Sequence, residues 1–487
     1  MVDSDIISEL DFLFHPKSIA VIGASRSFAK TGSMTLFSTI AGGFTGKIFP
    51  INPKESKIMG LDAYPNLSSI SDDLDLAMIC VPSSKVPGVI EECVDCGVKV
   101  SVIISSGFGE IGEDGKEKES EIVEIARRGK MRLVGPNCMG VGSADPSLYS
   151  SMNFTIPMPG NVSIVSQSGT ITTLSALESS DKGVGISKYI SSGNEADLHI
   201  EDFITYFADD PETKLILAFI EGLRDGRRFF EVAKEVTKKK PLIVLKGGKT
   251  KEGAGAASSH TGSLAGSYAL FDAMSRQAGI SHVSSLKEMT DLSKAFSLLS
   301  LPKGRKVAIV SAQGGLGVLM ADACVKSGLE LPDLSNETIE ALNQFLPYFW
   351  SHRNPIDLTA GINDFGALSK TLEVVLKQPD IQSVICLAPS FSPMFSRVLP
   401  RMSGGMQKMF KSTGIGMMER MEKHFVSDFI KLKDKYQKPV IAIGLFSQSE
   451  SESAKMLEDG GIPIYETPEQ IASVISNLST YREYLEA

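Results

Sequence analysis

A short apolar run that ends in a glycine or a small polar turn, and then recurs, constrains this chain more than any other feature. Residues 18–23 read Ser-Ile-Ala-Val-Ile-Gly, without polar alternation. A strand buried on both faces of a parallel sheet needs that pattern. Residues 47–52, 76–82, 98–105 and 131–134 repeat it, with helical stretches at 86–96 and 116–128 between them. A second cycle opens at 161–166 and continues at 186–191, 213–219 and 241–246. A third opens at 305–311, continues at 383–388 and 438–444, and ends near Pro463. Parallel neighbours can be joined only by a crossover, so this alternation predicts an α/β protein of doubly wound sheets.

The breaks fall near 150 and 300, giving expected domains at 1–150, 151–300 and 301–487. Residues 152–160, with Pro157 and Pro159, read as the first linker, and Leu301-Pro-Lys-Gly as the second. The second and third cycles open alike, with Val-Ser-Gln-Ser-Gly beside Val-Ser-Ala-Gln-Gly-Gly. Residues 390–431 break the rhythm. Seven methionines there, from Met394 to Met421, suit a helical insertion or an adaptable contact surface.

Composition narrows the function. The 487 residues carry 49 basic and 58 acidic side chains, a net charge of −9, which disfavours binding along nucleic acid. No apolar run reaches the roughly 18 residues of a membrane span. Residues 1–10 hold three acids and no basic n-region, so no signal peptide is expected. Of six cysteines only Cys93 and Cys96 are close, and no second pair completes a zinc site. A reducing, cytoplasmic location and no resident metal are the expectations.

Four segments carry chemistry. Gly23-Ala-Ser25-Arg26, followed by Lys30-Thr-Gly32, lies where a strand feeds a helix, so backbone N–H groups face a phosphate. It lacks the dinucleotide Gly-x-Gly-x-x-Gly spacing. The next strand leads into Asn52-Pro-Lys54 instead of an acid for a ribose diol, which argues against a nicotinamide cofactor. Gly135-Pro-Asn137-Cys138 is a tight turn at a strand's carboxyl end. Ser166-Gln-Ser168-Gly169-Thr170 caps a helix and offers an anion site, or serves only as a cap. His260 stands within Gly253 to Gly266, in a run of Gly, Ala and Ser with no bulky residue in the seven positions before it. Its imidazole can take a phosphoryl group when a carboxylate orients it, and Glu221, in Ile-Glu-Gly after a strand, is the candidate.

Together these segments resemble the α subunits of the ADP-forming acyl-CoA synthetases, within the succinyl-CoA synthetase superfamily. The matching stretches are Ala20-Val-Ile-Gly-Ala-Ser, Asn52-Pro-Lys, Gly135-Pro-Asn-Cys, Ser166-Gln-Ser-Gly, Ala218-Phe-Ile-Glu-Gly-Leu, Ala257-Ser-Ser-His-Thr-Gly-Ser-Leu-Ala-Gly and Asn354-Pro-Ile-Asp-Leu. The resemblance implies a Rossmann-like CoA-binding domain followed by two flavodoxin-like ligase domains. It implies the reversible conversion of acyl-CoA, ADP and phosphate to acid, ATP and CoA, through an acyl phosphate and a phosphohistidine at His260 held by Glu221. Ser166, Ser168, Gly169 and Thr170 would hold phosphate. Gly23, Ser25, Arg26, Lys30, Asn52, Lys54, Val81 and Pro82 would hold CoA, with Asn137 and Cys138 near the acyl group. No segment after residue 300 resembles an ATP-grasp domain, so a separate ATP-grasp β subunit is expected to bring ADP or ATP with magnesium, in a hetero-oligomer. The rival reading is a CoA or acyl-CoA sensor without turnover, which has no use for a phosphate-carrying histidine.

Overall fold

The computed structural model describes residues 4–255, 267–311, 313–358, 366–387, 397–409, 415–444 and 451–487. They form two compact units, Met1–Ser293 and Lys294–Ala487.

The first unit holds two large sheets. One contains Lys47–Ile51, Ser18–Ile22, Leu76–Ile79, Val100–Ile103 and Arg132–Val134, in that spatial order and all parallel. The other runs Ser281–Val283, Leu242–Lys246, Leu215–Ile220, Pro159–Ser166 and Ile186–Ser191, also parallel. A hairpin of Gly140–Ser143 and Leu148–Ser151 extends it antiparallel beyond Ile186–Ser191. The hairpin precedes residue 150 in sequence yet pairs with the second sheet.

Counted along the chain, the parallel strands of each sheet stand in the order 2-1-3-4-5. That order reverses between the first strand and the third, and a crevice opens at their carboxyl ends. In the first sheet the crevice lies beyond Ile22 and Ile79. In the second it lies beyond Ser166 and Ile220.

One apolar core joins the two sheets. It takes Ile19, Met78 and Val100 from the first and Val165, Ile190 and Ile216 from the second. The helix Ser4–Phe14 contributes Phe14, which stacks on Tyr206 with ring centroids 4.9 Å apart. Arg132 bonds both Glu9 (2.5 Å) and Asp197 (2.9 Å), and Asp197 also accepts the Leu133 amide at 3.1 Å.

The second unit repeats the order, with Ile356–Asp357, Val307–Ser311, Ser383–Leu387, Val440–Ile443 and Ile464–Tyr465. Ala308 and Val310 enter one core while Val307 and Ile309 enter another. That is the two-residue period of a strand covered on both faces. In the methionine-rich stretch, Gly404–Met409 and Ile415–Tyr436 are helices. The longer one buries Phe425, Val426 and Phe429 and leaves Met417 exposed. Met394 lies outside the described residues.

The second sheet contains a fully buried lysine. Lys188, on the strand Ile186–Ser191, donates to Asp210 and Glu212, each at 2.9 Å. Replacing it with alanine leaves the buried Asp210 carboxylate without its cation. We expect Lys188→Ala to lose about 3–5 kcal/mol in urea denaturation, while Lys214→Ala, an exposed control, changes stability by less than about 0.5 kcal/mol.

Candidate active site

A cavity of about 550 Å³ lies between the carboxyl edges of the first unit's two sheets. Its lining includes Val81, Pro82, Asn137, Cys138, Ser168, Gly169 and Thr170, residues singled out from sequence for three separate roles. Thr31, Ser83, Ser105, Gln167 and Asn194 complete much of the rest. Among the described residues, none of the lining side chains is charged.

Two helices begin at this cavity. Thr31 is the first residue of Thr31–Ala41, on the first sheet's side. Its approach requires glycine, because a Cβ on Gly32 would stand 2.3 Å from the Gly23 carbonyl oxygen and one on Gly23 2.4 Å from that of Cys80. Gly169 and Thr170 open Gly169–Asp181, on the second sheet's side. Ser168 caps that helix, its hydroxyl accepting from the Ile171 amide at 3.4 Å. Ser166 stands behind it, its hydroxyl donating to the Ser168 carbonyl (2.7 Å) and accepting from the Ser168 amide (3.1 Å). The unsatisfied N–H groups of two helix starts thus converge on one space, which favours an anion there.

The remaining CoA candidates flank the cavity without lining it. Asn52 donates to the Ala24 carbonyl (2.6 Å) and accepts from the Lys54 amide (2.8 Å), tying the second strand's turn to the first's. The Ser25 carbonyl accepts from the Ser33 hydroxyl at 2.6 Å. Arg26 pairs with Glu55 at 2.8 Å. Lys30, just before the helix Thr31–Ala41, and Lys54 are exposed.

Glu221 follows the strand Leu215–Ile220 at the second crevice, and both its backbone polar groups are held by side chains. Its amide donates to Gln167 Oε1 at 2.6 Å, and its carbonyl accepts from Lys246 Nζ at 2.7 Å. Gln167 also receives the Gly222 amide (3.1 Å) and donates to the Gly222 carbonyl (2.8 Å). Burial holds Lys246 below the usual lysine range, with Glu221 working against that shift. His260 lies outside the described residues.

The sequence reading passed over Gln167 and Lys246, along with Asn194. Gln167 sat inside a motif already marked for its serines. Asn194 follows a strand in a Ser-Gly-Asn turn, a signal of the same kind as Gly135-Pro-Asn. It donates to Glu110 (2.6 Å) and Glu119 (2.7 Å) and accepts from Asn137 at 3.2 Å.

Comparison with known proteins agrees with this architecture. Three family models match: a CoA binding domain over residues 17–144, a succinyl-CoA ligase like flavodoxin domain over 159–296, and a ligase-CoA domain over 307–405. The chain is 40% identical to the α subunit of ADP-forming acetate–CoA ligase II from Pyrococcus furiosus, over 95% of this chain and 96% of that one. It belongs to the ADP-forming acyl-CoA ligase family. Like other members of that family, it is part of a nucleoside-diphosphate-forming acyl-CoA synthetase, a ligase of carbon–sulfur bonds. A dinucleotide-forming acetyl-coenzyme A synthetase 1 from Ca. Korarchaeum cryptofilum, solved with phosphate and ADP, superposes with a TM-score of 0.84 at 33% identity, covering 100% of this chain and 99% of that one. ADP-forming acetate–CoA ligase I of Archaeoglobus fulgidus is 36% identical over 97% of this chain, which spans 64% of that longer protein.

Within this ligase burial disfavours the thiolate form of the cavity cysteines. Burial pushes the Cys138 thiol up to about 12, and its Sγ donates to the Ile103 carbonyl at 3.3 Å. Burial likewise pushes Cys80 up to about 12. At pH 8 only about one in ten thousand such thiols is a thiolate, against about a quarter for an ordinary cysteine. Iodoacetamide at pH 8 should therefore leave Cys80 and Cys138 unmodified in the folded chain and label both after denaturation, as read by peptide mass spectrometry.

Proposed function

We propose that the cavity receives the thioester end of an acyl-CoA together with inorganic phosphate, and that His260 carries the phosphoryl group away. Two helix N-termini, one from each sheet, opening on a single cavity carry this reading. Phosphate oxygen attacks the thioester carbon, the carbon–sulfur bond breaks, and CoA leaves with a proton on sulfur. The product is an acyl phosphate held by the Ser168, Gly169 and Thr170 helix start. A ring nitrogen of His260 then attacks phosphorus, and the carboxylic acid leaves as its carboxylate. Phosphohistidine passes the group to ADP, giving ATP and free histidine.

In this reading Glu221 orients the imidazole and stabilises the cation that forms as its nitrogen attacks. Its backbone, gripped by Gln167 and Lys246, supports a fixed carboxylate. Asn137 and Cys138 border the acyl group, and the turns at Gly23–Lys30, Asn52–Lys54 and Val81–Pro82 hold CoA. The Pyrococcus furiosus relative is named as an α subunit. A β partner with an ATP-grasp fold is assigned the ADP and its magnesium here, and the pair forms a hetero-oligomer. Six free cysteines suit a cytoplasmic enzyme.

Incubation with labelled phosphate and a panel of acetyl-, 4-hydroxybutyryl- and feruloyl-CoA tests the chemistry. We expect acid-labile, alkali-stable label on the wild-type chain and none on His260→Ala. Glu221→Gln should label about 100-fold more slowly, the scale set by loss of one positioned catalytic group. Absence of label from every ester, with the nucleotide-binding partner present, would falsify the phosphohistidine reading.

A further inference from the structure

The acyl side and the phosphoryl side of the cavity meet at one loop. Residues 192–198 leave the strand Ile186–Ser191 and run against the turn after Arg132–Val134. The Asn194 and Ala196 amides donate to the Pro136 and Gly135 carbonyls, at 2.9 and 3.0 Å. The Leu198 amide donates to the Leu133 carbonyl at 3.3 Å. Glu195 sits at the centre of this loop, 2% exposed, with its backbone in the left-handed region at φ 56°. A non-glycine residue keeps that conformation only where its surroundings fix it. Its carboxyl accepts the Ser192 hydroxyl at 2.7 Å, and the Ser192 amide donates to the Ser166 carbonyl at 2.8 Å, one residue before Gln167. Gln167 is the same residue that grips Glu221 and Gly222.

We propose that Glu195 is a positioning residue for phosphoryl transfer: through Ser192 and the strand end at Ser166 it steadies Gln167, which grips the Glu221 backbone, and through its loop it ties that setting to the Asn137 turn. The inference rests on the reading of Glu221 as the carboxylate that orients His260.

The protonation state of Glu195 is the lever. Glu201, on the helix Ile200–Asp209, and Arg224, after the strand Leu215–Ile220, face it. Glu110 and Glu119 approach from the far side of Asn194, and Arg228 pairs with Asp202 beside Glu201. Burial, helped by Glu201, pushes the Glu195 carboxyl up to about 8, against Ser192, Gln167 and Arg224. At pH 7 about nine-tenths of such a group is protonated, so the loop holds a neutral hydrogen-bonded carboxyl. Its folded value lies above the ordinary 4.5. The stabilisation is therefore complete below the ordinary value and is lost as pH rises through about 8. Ionisation there sets a second negative charge beside Glu201 where water does not reach. The loop must open to solvate it, and the Ser192 tie to the strand end before Gln167 is lost.

The test is the rate of His260 labelling between pH 6 and 9, with labelled phosphate, acyl-CoA and the partner subunit. In the wild type the rate should fall about tenfold from pH 7 to 9, following the protonated fraction of one group. Glu195→Gln keeps the shape and hydrogen bonds of the neutral carboxyl, so it should label at pH 7 and lose that alkaline limb. Glu195→Ala should label at least about tenfold more slowly at pH 7, while calorimetry shows acyl-CoA affinity unchanged within about threefold, a measurement that also shows the variant is folded. A limb that persists in Glu195→Gln belongs to Glu201 or another group and overturns the inference. So does a Glu195→Ala chain that labels like the wild type. A wild type that never labels overturns this inference and the phosphohistidine reading together.

Discussion

The geometry of the site hangs on the side chain of Gln167. A primary amide has two donor hydrogens and an oxygen with two acceptor positions. Here the oxygen takes the Glu221 and Gly222 amides, and the nitrogen donates to the Gly222 carbonyl. The residue thus bridges the first and third strands of the second sheet just where their order reverses. Without the bridge, two loops at a crevice would be free to part, and an open crevice does not hold a carboxylate in place for a ring nitrogen. Each unmade bond to a sequestered amide would cost about 1–3 kcal/mol, so the bridge is also hard to open by chance.

Under the proposed reaction, the lack of a charged side chain among the described residues of the cavity lining has a physical reason. Lysine or arginine at the phosphate would hold it strongly through charge, and the group must leave on every turnover. Helix N-termini supply a weaker and directional attraction, worth about 0.3–1 kcal/mol each at a surface and up to about 2 when partly buried. Such donors are fixed before the reaction and need no rearrangement as charge develops. The nearby cations are placed outside. Lys246 holds carbonyl groups, Arg224 donates to the Asn194 carbonyl at 2.6 Å, and Arg26 pairs with Glu55.

Much of this was legible in the sequence, because parallel strands announce themselves. The runs at 18–23, 76–82 and 161–166 are apolar without alternation, and each ends in the small residues that a crevice needs. The turn repeated at Ser166 and Ser311 was visible as text, and its bonding is also repeated. Ser311 Oγ donates to the Gln313 carbonyl and accepts from the Gln313 amide, at 2.9 and 3.0 Å, as Ser166 does with Ser168. The hairpin Gly140–Ser143 and Leu148–Ser151 was not legible, since a two-glycine strand carries little β signal and pairs with a partner 45 to 49 residues on. Nor was Ile356–Asp357, two residues long. The parts Glu195 and Gln167 play were hidden for a different reason. Their meaning lies in a contact between loops distant in sequence, and a lone Glu or Gln in a turn ordinarily faces water.

The repeated turn also shows why similarity of backbone is not similarity of function. After Ser166 the helix start at Gly169 opens on the cavity, and the residue pressed against it is Met139, whose Cγ would lie 1.6 Å from a Cβ at position 169. After Ser311 the helix start at Gly314 meets Asp357, whose carboxylate Oδ2 lies 2.8 Å from where a Cβ would be. A thioether leaves the positive end of the helix available to an anion. A carboxylate set there repels a second negative charge at the same place. The strand order, the serine and the glycine are common to both domains, so they mark the fold. The side chain set against the helix start separates one that is open to an anion from one that faces a carboxylate, and it comes from a different loop in each domain.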